Sequence, residues 1–168
     1  DLIATEEVNL WPPFAAMGPE PLGPDFTASY LQRALDGRVA AIKLLLLDQR
    51  IVSGLGNIYV CEALNMARIA PGRQGGKTSL LRLERLVEAI RTVLIAAIDA
   101  GGSTLRDYAR PDGELGYFAK QWRVYGKEGQ SCPCGGTVRR RSEGGRSTPP
   151  EPPGDLATHR QYITDYVL

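Results

Sequence analysis

The stretch Val52-Ser53-Gly54-Leu55-Gly56-Asn57-Ile58-Tyr59 decides how the chain reads. Apolar runs flank it, Leu44 to Leu47 before and Val60 to Met66 after. Two glycines allow a sharp turn where a Cβ would clash. Asn57 stands where a residue can cap the helix that follows. A turn that delivers a helix N-terminus presents unpaired backbone N–H groups at the positive end of the helix dipole, which is an anion site. The same residues also suit a plain helix–turn–helix joint with no ligand, and Gly-x-Gly alone does not choose between the two.

A chain of 168 residues can bury a core in one or two small domains. Its 43% hydrophobic and 23% charged residues are ordinary globular values. No apolar run approaches the roughly 18 residues of a membrane span, and no basic segment followed by an apolar one opens the chain as a secretory signal would. The chain begins at Asp1 without a methionine, which suggests a fragment or a processed product. Cys61, Cys132 and Cys134 are too few for a disulfide scaffold and fit a reducing, intracellular compartment. The net charge of +1 hides an asymmetry: residues 25–148 hold 19 Lys and Arg against 12 Asp and Glu, between acidic ends. A basic middle is compatible with nucleic acid and equally with simple solubility.

Five prolines between Pro12 and Pro24 argue for a strand end at Leu2-Ile3 and then a loop, with no helix. Asp25 can cap a helix to about Asp36, closed by Gly37. A second helix is predicted over about Ala40 to Asp48, with Ile42, Leu45 and Leu46 on one face and Lys43 pointing elsewhere. The third runs from Asn57 to Ala67, with Ile58, Cys61, Ala63 and Leu64 inward and Cys61 an inert core residue. After a Gly- and Pro-broken connection, Leu80, Leu83, Leu86, Val87, Ile90, Val93, Leu94, Ala97 and Ile98 recur at three and four, predicting a long helix to Ala100 that ends at Gly101-Gly102. Ser103-Thr104 can cap a further helical turn. Tyr117-Phe118 and Trp122 to Tyr125 read as extended. Ser131 to Val138 reads as a metal-knuckle-like turn, and Arg139, Arg140, Arg141 and Arg146 as a basic hairpin. Pro149 to Pro153 opens a proline-rich tail.

Several segments together resemble one family. They are Asp1-Leu2-Ile3 with Met17-Gly18-Pro19-Glu20-Pro21-Leu22, Ala41-Ile42-Lys43 with Leu47-Asp48-Gln49, Gly54 to Tyr59 with Glu62, Gly101 to Tyr108, Asp112 to Phe118 and Val124-Tyr125-Gly126. Over about residues 1–148 the chain resembles the C-terminal part of a bacterial formamidopyrimidine-DNA glycosylase, in the family shared with endonuclease VIII. The resemblance implies a mainly α fold: a helix–two-turn–helix domain followed by a degenerate zinc-finger-like β-hairpin. Residues 1–24 would then end the N-terminal β-sandwich and its linker, 25–109 form the DNA-binding domain, 110–148 the lesion loop and hairpin, and 149–168 an atypical tail.

Family activity is excision of oxidised purines, 8-oxoguanine and formamidopyrimidines, from the DNA stack, followed by β,δ-elimination at the abasic site. The resemblance carries DNA-phosphate contacts onto Lys43 and Asn57, with Gly56 and Arg38 beside them. It carries the loop that covers the flipped base onto Arg110, Asp112, Gly113, Gly116 and Tyr117. Arg146 inherits a phosphate contact and the role of proton donor in δ-elimination. The partner implied is damaged double-stranded DNA, bound by a monomer in the cytoplasm at the nucleoid.

The sequence departs from that family at two places. The N-terminal proline that attacks the sugar, the glutamate after it and an assisting lysine are not among these residues, so these 168 residues by themselves are not expected to excise bases. The family's finger zinc takes two Cys-x-x-Cys pairs. Here Cys132-Pro133-Cys134 is one residue short, and the proline-rich tail stands in place of the second pair. Zinc is therefore expected to be absent or weakly held. The alternative functions are a stand-alone, non-enzymatic DNA-binding module and a non-functional truncated product.

Overall fold

Thr27 caps the helix that precedes the two-turn region. In the computed structural model, which describes residues 15–102, 118–131 and 137–138, its Oγ1 accepts a hydrogen bond from the Tyr30 N–H at 3.1 Å. That satisfies one of the amides a helix start leaves unpaired. The helix α1 therefore spans Ala28–Leu35, and the cap is Thr27, not Asp25. Asp25 contributes its backbone carbonyl instead, accepting from the Thr27 N–H at 3.0 Å. Gly37, at φ +66°, closes the helix as expected. Leu2-Ile3, the Ser103-Thr104 turn, residues 110–117 with Arg110, Asp112, Gly113, Gly116 and Tyr117, Cys132, Cys134, Arg146 and the tail 149–168 lie outside the described residues. Ala15 is helical, against the expectation that prolines exclude any helix before Pro24. Proline is tolerated in a helix's first turn, so proline content alone does not forbid one.

α2 is shorter than its apolar run predicts, Ile42–Leu47. The backbone ahead of it is used elsewhere. Gly75 N–H donates to Ala40 O at 3.0 Å and Gly76 N–H to Arg38 O at 2.9 Å, while Ile42 N–H donates to Arg73 O at 2.7 Å and Lys43 N–H to Pro71 O at 3.1 Å. Carbonyls of the 71–73 loop thus cap α2 where no side chain does. Gly75 lies against Leu45 Cδ1, so a Cβ there would require that side chain to shift. Covered by this loop and packed against the next helix, α2 has little open face. Lys43 is only 4% exposed, a correction to the expectation that it points away from the core.

Two turns follow. Ile51 N–H closes the first on Asp48 O at 2.8 Å, and the second passes through Gly54 at φ +69°. α3, Asn57–Ala67, then begins with Gly56 as its extended N-cap residue and Asn57 as its first helical residue. Asn57 is not the cap: Gly56 O already accepts the Val60 N–H at 3.0 Å. Val60, Ala63, Leu64 and Ala67 form its buried stripe, and Ile58, expected inward, is only half-buried. Arg68 ends α3 in the left-handed conformation.

A short 3-10 turn, Gly75–Lys77, leads to α4, Leu80–Asp99, about 30 Å long. α4 packs along α3 and α1. Leu83, Leu86, Val87, Ile90, Val93 and Ala97 are buried as their spacing predicts, whereas Leu80 and Ile98 are exposed. α1 and α3 are both shorter than α4, so its ends outrun their cover. Gly101 and Gly102, both at positive φ, stop the helix. Gly102 N–H reaches Ala97 O at 2.7 Å and Gly101 N–H reaches Ile98 O at 2.9 Å, the paired bonds of a Schellman motif.

Beyond this, Phe118–Gln121 is a 3-10 helix and Trp122 to Gln130 a series of turns, not the extended segment the aromatics predict. Three successive amides there converge on one acceptor, and a strand would point them alternately to opposite sides. Ser131 and Thr137 pair by an isolated antiparallel bridge.

Candidate nucleic-acid interface

α3 starts without a side-chain cap, at an exposed Gly56. Its first backward hydrogen bond comes from Val60, so the amides of Asn57, Ile58 and Tyr59 have no partner among the described residues. Such amides carry the positive end of the helix dipole, and the arrangement can hold an oxyanion such as a phosphate. Asn57 is half-buried, and its Oδ1 accepts from the Cys61 thiol at 3.7 Å, one turn along. Cys61 is fully buried, as expected.

The approach to this helix start is held by Gln49. Its Oε1 accepts from Gly54 N–H at 2.7 Å, and its Nε2 donates to Leu47 O at 3.2 Å and Leu55 O at 3.3 Å. Asp48 and Arg50 flank it in a two-pronged ion pair, Arg50 Nη2 to Asp48 Oδ2 at 2.7 Å and Nε to Oδ1 at 2.8 Å. The Arg50 side-chain bonds, then its backbone N–H on the same carboxylate, draw the Asp48 pKa down to about 2. Asp48 in turn holds the Arg50 guanidinium above its ordinary value.

The chain ahead of α1 straps this turn from outside. Gly18 N–H donates to Gln49 O at 2.9 Å, and Ser53 N–H donates to Pro19 O at 3.2 Å. A Cβ at Gly18 would collide with the Ile51 carbonyl. Arg91 of α4 fastens the rest of the strap, its guanidinium donating to Gly23 O at 3.2 Å and Phe26 O at 3.0 Å.

Of the residues singled out in the sequence, Gly56 and Asn57 form the helix start and Lys43 lies on the packed neighbour α2. Arg38 is exposed, with its Nε on Ala34 O at 2.8 Å at the end of α1. Two contributors escaped the sequence reading as individuals, Gln49 and Glu62. Glu62 had a visible signal, a single carboxylate inside the apolar run Val60 to Met66.

Helix, two turns and a helix whose bare N-terminus faces outward are also what the known proteins share. Residues 17–109 match the family model described as the formamidopyrimidine-DNA glycosylase H2TH domain. The chain belongs to this family. The formamidopyrimidine-DNA glycosylase of Rhizorhabdus wittichii is 68% identical over 148 residues, 88% of this chain and 55% of the relative. That of Novosphingobium aromaticivorans is likewise 68% identical over the same shares. The chain therefore spans little more than half the length of these relatives. Among solved structures, the MutM (Fpg) protein from Thermus thermophilus matches with a TM-score of 0.75 and 44% identity, over 82% of this chain and 53% of that one. A complex between the Lactococcus lactis Fpg and an abasic site containing DNA matches with a TM-score of 0.77 and 34% identity, over 86% and 53%. No described helix of this family member is long and apolar enough to cross a membrane.

Proposed function

We propose that this chain is the DNA-binding portion of a base-excision-repair glycosylase and AP lyase for oxidised purines, acting on damaged duplex DNA as a monomer in the bacterial cytoplasm. The observation that carries the reading is the uncapped start of α3, held by two stapled turns. There the free amides and Asn57 take one backbone phosphate, and the Lys43 ammonium adds positive charge from α2. Phosphate contacts of this kind set register and not sequence preference. Residues 25–109 are the helix–two-turn–helix domain on this reading, and 110–148 supply the lesion loop and the hairpin carrying Arg146. The antiparallel bridge between Ser131 and Thr137 supports a hairpin there. Base excision itself belongs to the longer protein, through the proline and glutamate of its N-terminal half.

The residues present do not fit the family's zinc. Cys61, buried in α3 with its thiol on Asn57, is no ligand for a finger. That leaves the thiols of Cys132 and Cys134 and, distant in sequence, His159. Two thiolates do not close a tetrahedral site.

A duplex-binding titration at low and moderate salt tests the clamp. Asn57→Ala and Lys43→Met should both weaken binding, with Lys43→Met lowering the log–log salt slope by about 1. Binding indifferent to both substitutions would overturn the reading.

A further inference from the structure

Glu62 lies on α3, at 3% exposure, and does not face water. Its Oε2 accepts from Arg123 N–H at 2.8 Å, and its Oε1 accepts from Val124 N–H at 3.0 Å and Tyr125 N–H at 2.9 Å. Three consecutive amides wrapped on one carboxylate form a nest-like anion cradle, occupied here by the protein's own side chain. Charge-assisted bonds of this type are shorter and stronger than neutral ones.

The surroundings make Glu62 the hub of a docking surface. Tyr59, one turn earlier on the same face, meets Phe118 with ring centroids 6.0 Å apart. Cys61 packs with Val124, Val138 and Tyr125 in a small apolar cluster separate from the main core. Val138 is in turn fixed by its N–H on Gln130 O at 2.9 Å and by Gly129 N–H on its own carbonyl at 2.8 Å. The next residues in sequence are Arg139, Arg140 and Arg141. One side of α3 thus serves the helical core, and the other seats the C-terminal segment five residues from the bare helix start.

We propose that Glu62 is the positioning residue that docks the C-terminal segment on α3 and so sets where Val138, the residue before the arginine run, is held relative to Asn57. The docking uses no metal. It stands on the contacts themselves, while its consequence for DNA rests on the phosphate-clamp reading above.

The test uses the 168-residue chain and its Glu62→Gln variant, which keeps size but turns an NH2 donor toward backbone donors. Amide hydrogen exchange at Arg123, Val124 and Tyr125 should accelerate at least tenfold, with α4 core amides unchanged, and a chelator added to wild type should have no such effect. The slope of log affinity for duplex DNA against log salt should fall as arginine–phosphate contacts are lost. General destabilisation alone would leave that slope unmoved. Should Glu62→Gln melt the whole chain, Glu62→Asp, which keeps the charge and withdraws it by one methylene, gives the reading through the same exchange. Unchanged exchange at 123–125, chelator-sensitive exchange in wild type, or an unchanged salt slope would each overturn the proposal. Wild type that binds no DNA would sink the clamp reading and leave the exchange result to decide the docking.

Discussion

Gln49 and Gly54 are joined by a 2.7 Å hydrogen bond from the Gly54 N–H to the Gln49 Oε1, across the two turns that link α2 to α3. Gly54 sits at φ +69°, a conformation that needs glycine, and the Gln49 side chain spans the loop from Leu47 to Leu55. The Gln49 carbonyl meanwhile holds the incoming strap through Gly18. One side chain therefore fixes the geometry with which the start of α3 is presented.

Gln49→Ala removes the three side-chain bonds from an exposed loop, where water can replace them, and keeps the carbonyl that holds Gly18. Stability should fall by only about 1 kcal/mol, seen as a lower urea midpoint. Duplex affinity should fall several-fold beyond what that loss explains, because the turn is no longer preorganised. Equal affinity in mutant and wild type would show that the staple does not govern binding.

Asp48 predicts an acid response. Its folded pKa, about 2, lies below the ordinary 3.8, so the ion pair's contribution is complete above pH 3.8 and is lost as pH falls toward 2. Carbon-detected NMR titration of the Asp48 carboxyl should give the low value in wild type. In Arg50→Ala it should rise from there toward 3.8 and stop short of it, because the backbone N–H of residue 50 still donates to the carboxylate. Identical titration curves in the two proteins would refute the assigned cause.

Arg68 is the one non-glycine residue at positive φ among the described residues, at φ 56° and ψ 47°. It is held there because Ile69 N–H bonds Leu64 O at 2.9 Å and Arg68 N–H bonds Asn65 O at 3.1 Å. A left-handed L-residue costs roughly 1–2 kcal/mol, and glycine returns part of that through unfolded-chain entropy, about 0.4–1 kcal/mol. Arg68→Gly should therefore stabilise the chain by up to about 1 kcal/mol. Thermal unfolding reads it directly, and a lower midpoint would contradict the strain argument.

Much of this architecture was readable from local pattern. The three- and four-residue spacing of Leu83, Leu86, Ile90 and Val93 marked the long helix, and Gly101-Gly102 marked its end. The span of α3 followed from the glycine turn and the apolar run after it. These are nearest-neighbour properties, set by backbone freedom and one-sided burial. Capping was less readable, since Asp25 and Thr27 are both competent and only the path of the strap selects Thr27.

What the sequence determined by itself is the order of α1 to α4, the glycine turn at Gly54 and membership of a family, because repeated apolar spacing and ordered motifs survive without coordinates. Tertiary structure alone decided the rest. Lys43 is buried on a helix whose start is bonded to the 71–76 loop, and Glu62 is a tether because amides 61 to 63 residues away converge on it. No local pattern encodes a partner at that distance; the carboxylate acquires its role only when the chain brings the two segments together and excludes the water that would otherwise solvate it.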